Sequence, residues 1–211
     1  MILLDALQYA LAHADEWLGA LEQHLLLVAV ALTIGIGVCV PLGALTARSR
    51  AASLSAINAA NGLRVIPSLA ILFLALPYFG LSFTAAALAL TLLALPPILI
   101  NTDAAFRGIA PAIQEAARGM GMNSRQILWR VEFPLALPVI LAGIRIATVE
   151  VIASATLAAF IGAGGLGIYI TRGFALYDNA ILLVGAISVA LLALSAEIIL
   201  GALERLTRAP R

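Results

Sequence analysis

Residues 24–47 read HLLLVAVALTIGIGVCVPLGALTA, a run without a single Asp, Glu, Lys or Arg. About 20 mainly apolar residues are enough for one helix to cross a bilayer. The whole chain shares this character, because 63% of its 211 residues are hydrophobic and 11% are charged, against roughly 45–50% and roughly 25% in soluble domains. The sequence therefore predicts a membrane protein and largely excludes an ordinary soluble enzyme.

Further apolar segments follow this first span along the chain. The uncharged stretch from Val65 to Thr102 is too long for one crossing, and residues 77–80 (Pro-Tyr-Phe-Gly) divide it. The predicted spans lie near 24–47, 54–77, 82–101, 136–161 and 180–203. We therefore expect residues 23–205 to form a single all-α, polytopic domain with five transmembrane helices, which places the two termini on opposite sides of the membrane.

All twelve basic residues are arginines, and their positions predict an orientation. Cytoplasmic loops next to span ends are enriched in Lys and Arg. Nine arginines follow the first, third and fifth spans and so share one side: Arg48, Arg50, Arg107, Arg118, Arg125, Arg130, Arg205, Arg208 and Arg211. This pattern predicts an external N-terminus and a cytoplasmic C-terminus, with residues 206–211 as a cytoplasmic tail.

The N-terminal segment, residues 1–22, sets leucines among acidic residues at a spacing that predicts an amphipathic helix. Such a helix would lie on the outer surface of the membrane. Two roles are compatible with it. It anchors the first span, or it offers a docking surface to an external partner.

The numbers of lysine, cysteine and histidine residues limit the ligands and reactions that this chain can support. The chain has no lysine, and the nucleotide-binding GxxxxGK[ST] loop needs one to contact phosphates, so any ATP that drives this protein is bound by another chain. The only cysteine is Cys39 and the only histidines are His13 and His24, which predicts neither a metal site nor a cofactor. The net charge of +1 argues against a nucleic-acid partner. No span supplies a nucleophile and base together, which argues against an intramembrane enzyme.

The longest polar stretch, residues 103–134, lies on the predicted cytoplasmic side. Pro111 can open a helix at its first turn, and Gly119 and Gly121 can end that helix in the left-handed conformation. Asn123 or Ser124 can cap a second helix, and Gln126, three residues after Asn123, gives a partial capping box. The stretch therefore predicts a short helix, a tight turn and a second helix, which together could project into a cytoplasmic partner.

The order of residues in this stretch resembles the EAA loop of binding-protein-dependent ABC importer permeases. That pattern is Glu-Ala-Ala, three residues, Gly, nine residues and then Ile-x-Leu-Pro. The matching residues here are Glu115, Ala116, Ala117, Gly121 and Val131 to Pro134. Val131 replaces Ile and Phe133 replaces Leu, and both substitutions keep the position apolar.

The resemblance extends over roughly residues 24–204 and points to the osmoprotectant, or quaternary-amine, branch. It is carried by IPSLA at 66–70, ARGMGMNSRQILWRVEFPLALP at 117–138 and TLAAFIGAGGLG at 156–167. It implies a type I ABC importer permease of the plasma membrane for a compatible solute such as glycine betaine, choline or carnitine. A permease of another branch, for example for amino acids, is an alternative. A self-sufficient carrier or channel is a weaker one, because five spans without internal duplication argue against it.

The resemblance also implies partners. In this family two permease subunits, copies or paralogues, form the pathway, two ATPase subunits bind beneath them, and an extracytoplasmic binding protein delivers the substrate. By that match, the residues that couple the ATPase to the permease are Glu115, Ala116, Ala117 and Gly121.

Charged residues fall within the predicted spans: Arg64, Arg145 and Glu150, with Glu197 late in the fifth. A charge at the bilayer centre costs about 2.5–3.5 kcal/mol or more, so such residues pair or face a cavity. Arg64 and Glu150 both lie on the order of 20 Å from the cytoplasmic edge at ~1.5 Å per residue, and we predict that they pair. Glu150 is then either a pathway residue that meets a cationic headgroup or part of a structural ion pair with Arg64 or Arg145.

Residues 162–167 read GAGGLG, which fits GxGxxG but follows a membrane span instead of a strand, so the motif does not indicate a dinucleotide site. We predict a closely packed, flexible turn that serves as a hinge near the external gate. Its glycines are Gly162, Gly164, Gly165 and Gly167. Ser68 and Thr156 are candidates for lining the pathway, although polar residues also join membrane helices to one another.

Overall fold

The computed structural model describes residues 2–207, which form helices joined by short turns. The α-helices are, in chain order, α1 Ile2–Ala12, α2 Ala14–Thr46, α3 Arg50–Val65, α4 Ser68–Phe79, α5 Phe83–Arg107, α6 Pro111–Gly119, α7 Ser124–Ile127, α8 Phe133–Ala155, α9 Gly167–Leu176 and α10 Asn179–Thr207. A π-helical turn, Leu128–Glu132, leads from α7 into α8, and a 3-10 helix, Thr156–Ile161, follows α8. Residues 2–207 contain no strand, which confirms the all-α prediction. Residues 208–211 of the predicted tail lie outside the described range.

Within residues 2–207, four helical stretches are long and apolar enough to cross a membrane, namely α2, α5, α10 and the segment Ser124–Ile161. A fifth candidate span consists of α3 and α4, which meet at 90°. The span predicted near 54–77 therefore corresponds to two helices with a sharp bend between them. Ile66 is extended, with φ −75° and ψ 123°, because the ring of Pro67 disfavours helical backbone in the residue before it.

Helix α5 lies at the centre of the bundle, between α2 and α8. Ile98 on α5 has no exposed surface. Close approach on both sides depends on glycine: a Cβ on Gly43 of α2 would lie 2.7 Å from Thr102 Cβ, and a Cβ on Gly143 of α8 would lie 2.9 Å from the Pro97 carbonyl oxygen. Small residues let membrane helices pack closely without a hydrophobic driving force between them. Gly43 and Gly143 therefore allow α2 and α8 to pack at short distance against α5.

A buried polar cluster at the end of α5 joins three helices. The side chain of Asp103 accepts hydrogen bonds from the hydroxyl of Thr46 on α2 at 3.0 Å and from that of Ser53 on α3 at 2.7 Å. Arg107 in turn donates to the Ser53 hydroxyl at 2.6 Å. Asp103 is 1% exposed. These hydrogen bonds satisfy the buried Asp103 carboxylate, so α5 continues to Arg107. The loop that was predicted to begin at residue 103 therefore begins after Arg107.

The predicted N-terminal amphipathic segment is divided between two helices. His13 separates α1 from α2, and α1 packs against α10. Several leucines of α1 remain exposed: Leu3, Leu4, Leu7 and Leu11. Arg172 on α9 donates to the Tyr9 hydroxyl at 3.4 Å and pairs with Glu16 at 3.3 Å. These two contacts connect α9 to both N-terminal helices. The same hydrogen bonds to Tyr9 and Glu16 raise the pKa of Arg172.

Candidate functional site

The short helix α6 begins with a proline and ends before a left-handed glycine. Pro111 occupies its first turn, where the missing N–H costs no helical hydrogen bond. At the other end Gly121 has φ +81°, and its N–H donates to the Arg118 carbonyl at 2.9 Å. The next N–H, of Met122, donates to the Ala117 carbonyl at 3.2 Å. This is a Schellman motif, which satisfies the last carbonyls of the helix, so α6 stops at a defined residue.

Helix α7 starts immediately after this turn with a complete capping box. The Asn123 side chain accepts from the Gln126 backbone N–H at 2.9 Å, and the Gln126 side chain accepts from the Asn123 N–H at 2.9 Å. The chain then continues through the π-helical turn into α8. The predicted helix, turn and second helix are thus present, and the second helix is the beginning of a membrane-spanning one.

Exposure divides the predicted coupling residues into two groups. Glu115, Ala116 and Gly121 are exposed, and within residues 2–207 Glu115 forms no ion pair. Ala117 is 1% exposed, so its methyl group packs inside the chain. The prediction that Ala117 belongs to the contact surface is therefore corrected. The Ala117 methyl group packs α6 against the rest of the chain, and the Ala117 carbonyl accepts the Met122 N–H.

The bend between α3 and α4 borders a cavity of about 440 Å³. Arg64, Pro67 and Ser68 line it from the bend, and Glu150 lines it from α8. The Arg64 guanidinium lies 3.1 Å from Glu150 Oε1, and the two side chains are 49% and 40% exposed. The two residues expected to pair are thus in contact, and the open side of the pair leaves room for a third charged group.

Two other candidate residues lie away from this cavity. Arg145 faces α10, where its guanidinium lies 2.7 Å from Glu197 and 3.2 Å from Glu204. The alternative in which Glu150 pairs with Arg145 is therefore wrong. The Thr156 hydroxyl donates to a carbonyl of the preceding helical turn at 2.7 Å. Thr156 does not line the cavity, and its place in the pathway stays a prediction.

The glycine-rich turn at 162–167 is fastened to the start of α2. Three glycines there have left-handed backbone: Gly162, Gly164 and Gly165, with φ of 69°, 78° and 82°. The Gly165 N–H donates to the Gln23 side-chain oxygen at 3.3 Å, and the Leu166 N–H donates to His24 Nδ1 at 3.3 Å. The turn is therefore tethered to α2, and its role as a hinge stays a prediction.

His24 makes the buried one of these two contacts between the turn and α2. The sequence did not predict that role. His24 Nε2 lies 3.1 Å from the Ile152 carbonyl oxygen of α8. Because a carbonyl only accepts and the Leu166 N–H only donates, the ring is neutral with its proton on Nε2. The side chain is fully buried. A lone histidine in an otherwise uncharged apolar run is the signal that could have found it, since a buried polar ring needs partners.

Replacing Gly167 with alanine is expected to destabilise the fold by about 1–3 kcal/mol. The added Cβ would overlap the backbone carbonyl of Thr156, which cannot rotate away as a side chain can. Gly37→Ala on α2 is the matched control, because a Cβ there meets nothing within 4 Å. Thermal unfolding of both purified variants in detergent measures the difference. Equal melting temperatures would show that the turn is not closely packed at Gly167.

A comparison with known families decides which class of membrane protein this fold belongs to. The model of a family described as "binding-protein-dependent transport system inner membrane component" matches residues 39–209. The chain belongs to this family. It is therefore a transport permease subunit and a multi-pass protein of the plasma membrane, not an enzyme. The matched residues include α6, the Arg64–Glu150 pair and the glycine-rich turn.

Individual relatives of this permease cover nearly all of its length. The carnitine transport permease protein OpuCB of Listeria monocytogenes is 46% identical, over 88% of this chain and 85% of its own. The osmoprotectant import permease protein OsmW of Salmonella typhimurium is 39% identical, over 95% and 96%. The choline transport system permease protein OpuBB of Bacillus subtilis is 37% identical, over 94% and 91%. These similarities confirm the resemblance to the osmoprotectant branch.

Solved structures share the fold of this permease. A chain of the inward-facing MetNI methionine ABC transporter superposes with a TM-score of 0.81 at 23% identity, over 92% of this chain and 96% of that one. A chain of an amino acid ABC transporter with histidines gives a TM-score of 0.75 at 22% identity, over 94% and 97%. The predicted fold of a type I ABC importer permease is thereby confirmed.

Proposed function

We propose that this permease serves an ATP-driven, binding-protein-dependent importer of a quaternary-amine compatible solute such as glycine betaine, choline or carnitine. The observation that carries the proposal is α6, a short helix that exposes Glu115 and Ala116 and ends at Gly119, just before the left-handed Gly121. A helix held in this way presents a rigid surface to a cytoplasmic ATPase. Similarity to permeases named for carnitine, choline and osmoprotectants supports the class of solute.

The same proposal names the partners and the orientation. Two ATPase subunits bind ATP, since a chain without lysine has no Walker loop of its own. A second permease subunit, copy or paralogue, completes the pathway, and an extracytoplasmic binding protein delivers the solute. With α3 and α4 counted as one broken span, the arginine distribution puts the N-terminus outside and the C-terminus in the cytoplasm. In this orientation α1 lies at the outer surface, where it anchors α2.

Closure of the ATPases would move α6, and the fold connects α6 to the helices around the cavity. One end of α6 follows α5 after a three-residue link, and the other end joins α8 through the capped turn at Asn123. The Asp103 cluster ties the end of α5 to α2 and α3. Helices α3 and α8 carry Arg64 and Glu150. Displacement of packed helices of this kind is a common route to alternating conformations.

The charges of the proposed solutes match the Arg64–Glu150 pair. A quaternary ammonium group can replace the Arg64 guanidinium beside the Glu150 carboxylate. The carboxylate of glycine betaine or carnitine can likewise replace Glu150 beside Arg64. We therefore assign the pair to the pathway, with Ser68 as a polar neighbour in the same cavity. Choline carries a hydroxyl in place of the carboxylate and so engages Glu150 alone.

The glycine-rich turn is proposed as part of the external gate. It follows α8, which carries Glu150, and its backbone is bonded to Gln23 and His24 at the start of α2. Movement of α8 would therefore reach the outer end of α2 through this turn.

Uptake into proteoliposomes tests the proposed function. The permease is reconstituted with the ATPase and the binding protein, and ATP-dependent accumulation of radiolabelled glycine betaine, carnitine, choline and methionine is compared. We expect at least one quaternary amine to accumulate and methionine to stay out. Accumulation of methionine alone would assign the permease to an amino-acid branch, and uptake by the permease without the ATPase would show a self-sufficient carrier.

A further inference from the structure

A second cavity, of about 580 Å³, lies where α2 and α5 end. There the chain enters the projection formed by α6 and α7, residues 111–127, which we call the α6–α7 projection. Its charged lining consists of four arginines and one carboxylate, Arg48, Arg50, Arg107, Arg118 and Glu132. Its other lining residues are five apolar ones, Ala44, Ala47, Phe106, Ile109 and Ile127, and two polar ones, Gln114 and Ser124. This arginine cavity is distinct from the cavity beside Glu150, because the two share no lining residue.

At least half of the positive charge in the arginine cavity is not neutralised by the chain itself. Arg107 is engaged, since it donates to Ser53, which in turn donates to Asp103. Within residues 2–207, none of the other three arginines forms an ion pair. Even with Asp103 and Glu132 both counted as negative, four guanidinium groups leave an excess of two positive charges. A concave surface lined by charge of one sign concentrates counter-ions.

We propose that the arginine cavity binds the phosphate of an anionic phospholipid headgroup from the cytoplasmic leaflet. Arginine forks match phosphate oxygens in geometry and in charge, and basic pockets between membrane helices on the cytoplasmic side are a known kind of lipid headgroup site. Two features favour a lipid over a free ion: the cavity borders the ends of two membrane helices, and its apolar walls suit a glycerol backbone. The assignment to the cytoplasmic leaflet rests on the proposed orientation.

Binding of short-chain lipids to the purified full-length permease tests the site without ATPase or solute. Native mass spectrometry in detergent compares dioctanoyl phosphatidylglycerol, which is anionic, with dioctanoyl phosphatidylcholine, which has the same chains and phosphate but is zwitterionic. The wild-type chain is expected to prefer phosphatidylglycerol. Each arginine near the surface contributes about a fivefold effect on the affinity for an anionic lipid, so Arg48→Gln/Arg118→Gln should weaken phosphatidylglycerol binding about 20- to 30-fold.

The control is Arg125→Gln/Arg130→Gln, which removes two exposed arginines, one on α7 and one in the π-helical turn after it, that do not line the cavity. This variant should bind phosphatidylglycerol within about twofold of wild type, since its arginines lie outside the site. Equal losses in both double variants would show general surface charge and overturn the proposal, as would unchanged binding in Arg48→Gln/Arg118→Gln.

Competition with inorganic phosphate separates the two sources of the anion. We expect millimolar phosphate to leave phosphatidylglycerol bound, because the apolar walls contribute to the lipid complex alone. Full displacement of the lipid by phosphate would assign the cavity to a free anion and overturn the lipid proposal. All of these measurements read lipid binding, whereas the proposed function is read by uptake, so the two can fail separately.

Discussion

Gly121→Val is expected to reduce ATP-driven uptake by an order of magnitude or more while the permease still reaches the membrane. Gly121 has φ +81°, a conformation that costs an L-residue roughly 1–2 kcal/mol and more for a β-branched one. No atom lies within 4 Å of the added Cβ, so the change acts on the backbone alone. It disfavours the turn that ends α6 without disturbing the core. Uptake and immunoblotted membrane level, measured on the same cells, separate the two effects.

Gly119→Val is the matched control for this variant. Gly119 is the last residue of α6 and has ordinary helical backbone, and a Cβ there also meets nothing within 4 Å. The same side chain is added two residues away, without left-handed strain. We expect near wild-type uptake from Gly119→Val. Equal uptake by the two variants would show that the ending of α6 has no part in transport.

Glu150→Gln is expected to lower uptake of all three quaternary amines by about tenfold or more, at normal protein level. The Glu150 side chain is 40% exposed and lines the cavity beside Arg64, so the substitution removes the charge that would meet the cationic headgroup. Glu197→Gln is the matched control. Glu197 is also paired with a membrane arginine, but Arg145 keeps Glu204 as a partner. Uptake by this control should stay close to wild type.

The double variant Arg64→Gln/Glu150→Gln separates a pathway role from a structural ion pair. If the pair only stabilises the fold, removal of both charges leaves no unpaired charge, and uptake recovers relative to Glu150→Gln. The pathway assignment predicts that uptake stays low. It also predicts that Arg64→Gln alone reduces uptake of glycine betaine and carnitine more than uptake of choline, because choline has no carboxylate. Recovery in the double variant would contradict the assignment.

Much of the fold follows from patterns that the sequence displays directly. Long, predominantly apolar runs identify α2, α5, α8 and α10, because the bilayer leaves few alternatives to an apolar helix. Pro111, Gly121 and Asn123 act through local backbone chemistry, so their roles in the α6–α7 projection were predictable without any tertiary information. The pairing of Arg64 with Glu150 was also predictable from their equal distance to the cytoplasmic edge, since both helices rise by the same distance per residue.

The remaining features depend on which helix faces meet, and no local pattern encodes that. Ala117 sits beside Ala116 in the motif, but only packing turns its methyl group inward. Arg145 was close in sequence to Glu150, and its partners proved to be on α10. Asp103 was assigned to a loop, because the hydroxyls that satisfy it come from α2 and α3. The bend at Pro67 was missed because the apolar run continues through it.

The proposed function depends on α6 as the surface to which a separate ATPase attaches. The most direct test is the amount of ATPase subunit that co-purifies with the tagged permease when Glu115→Arg and Gly121→Val are combined, compared with wild type and with Gly119→Val. We expect wild type and Gly119→Val to retain the ATPase and the double variant to lose it while remaining in the membrane. Full retention of the ATPase by the double variant would show that α6 is not the surface that binds the ATPase.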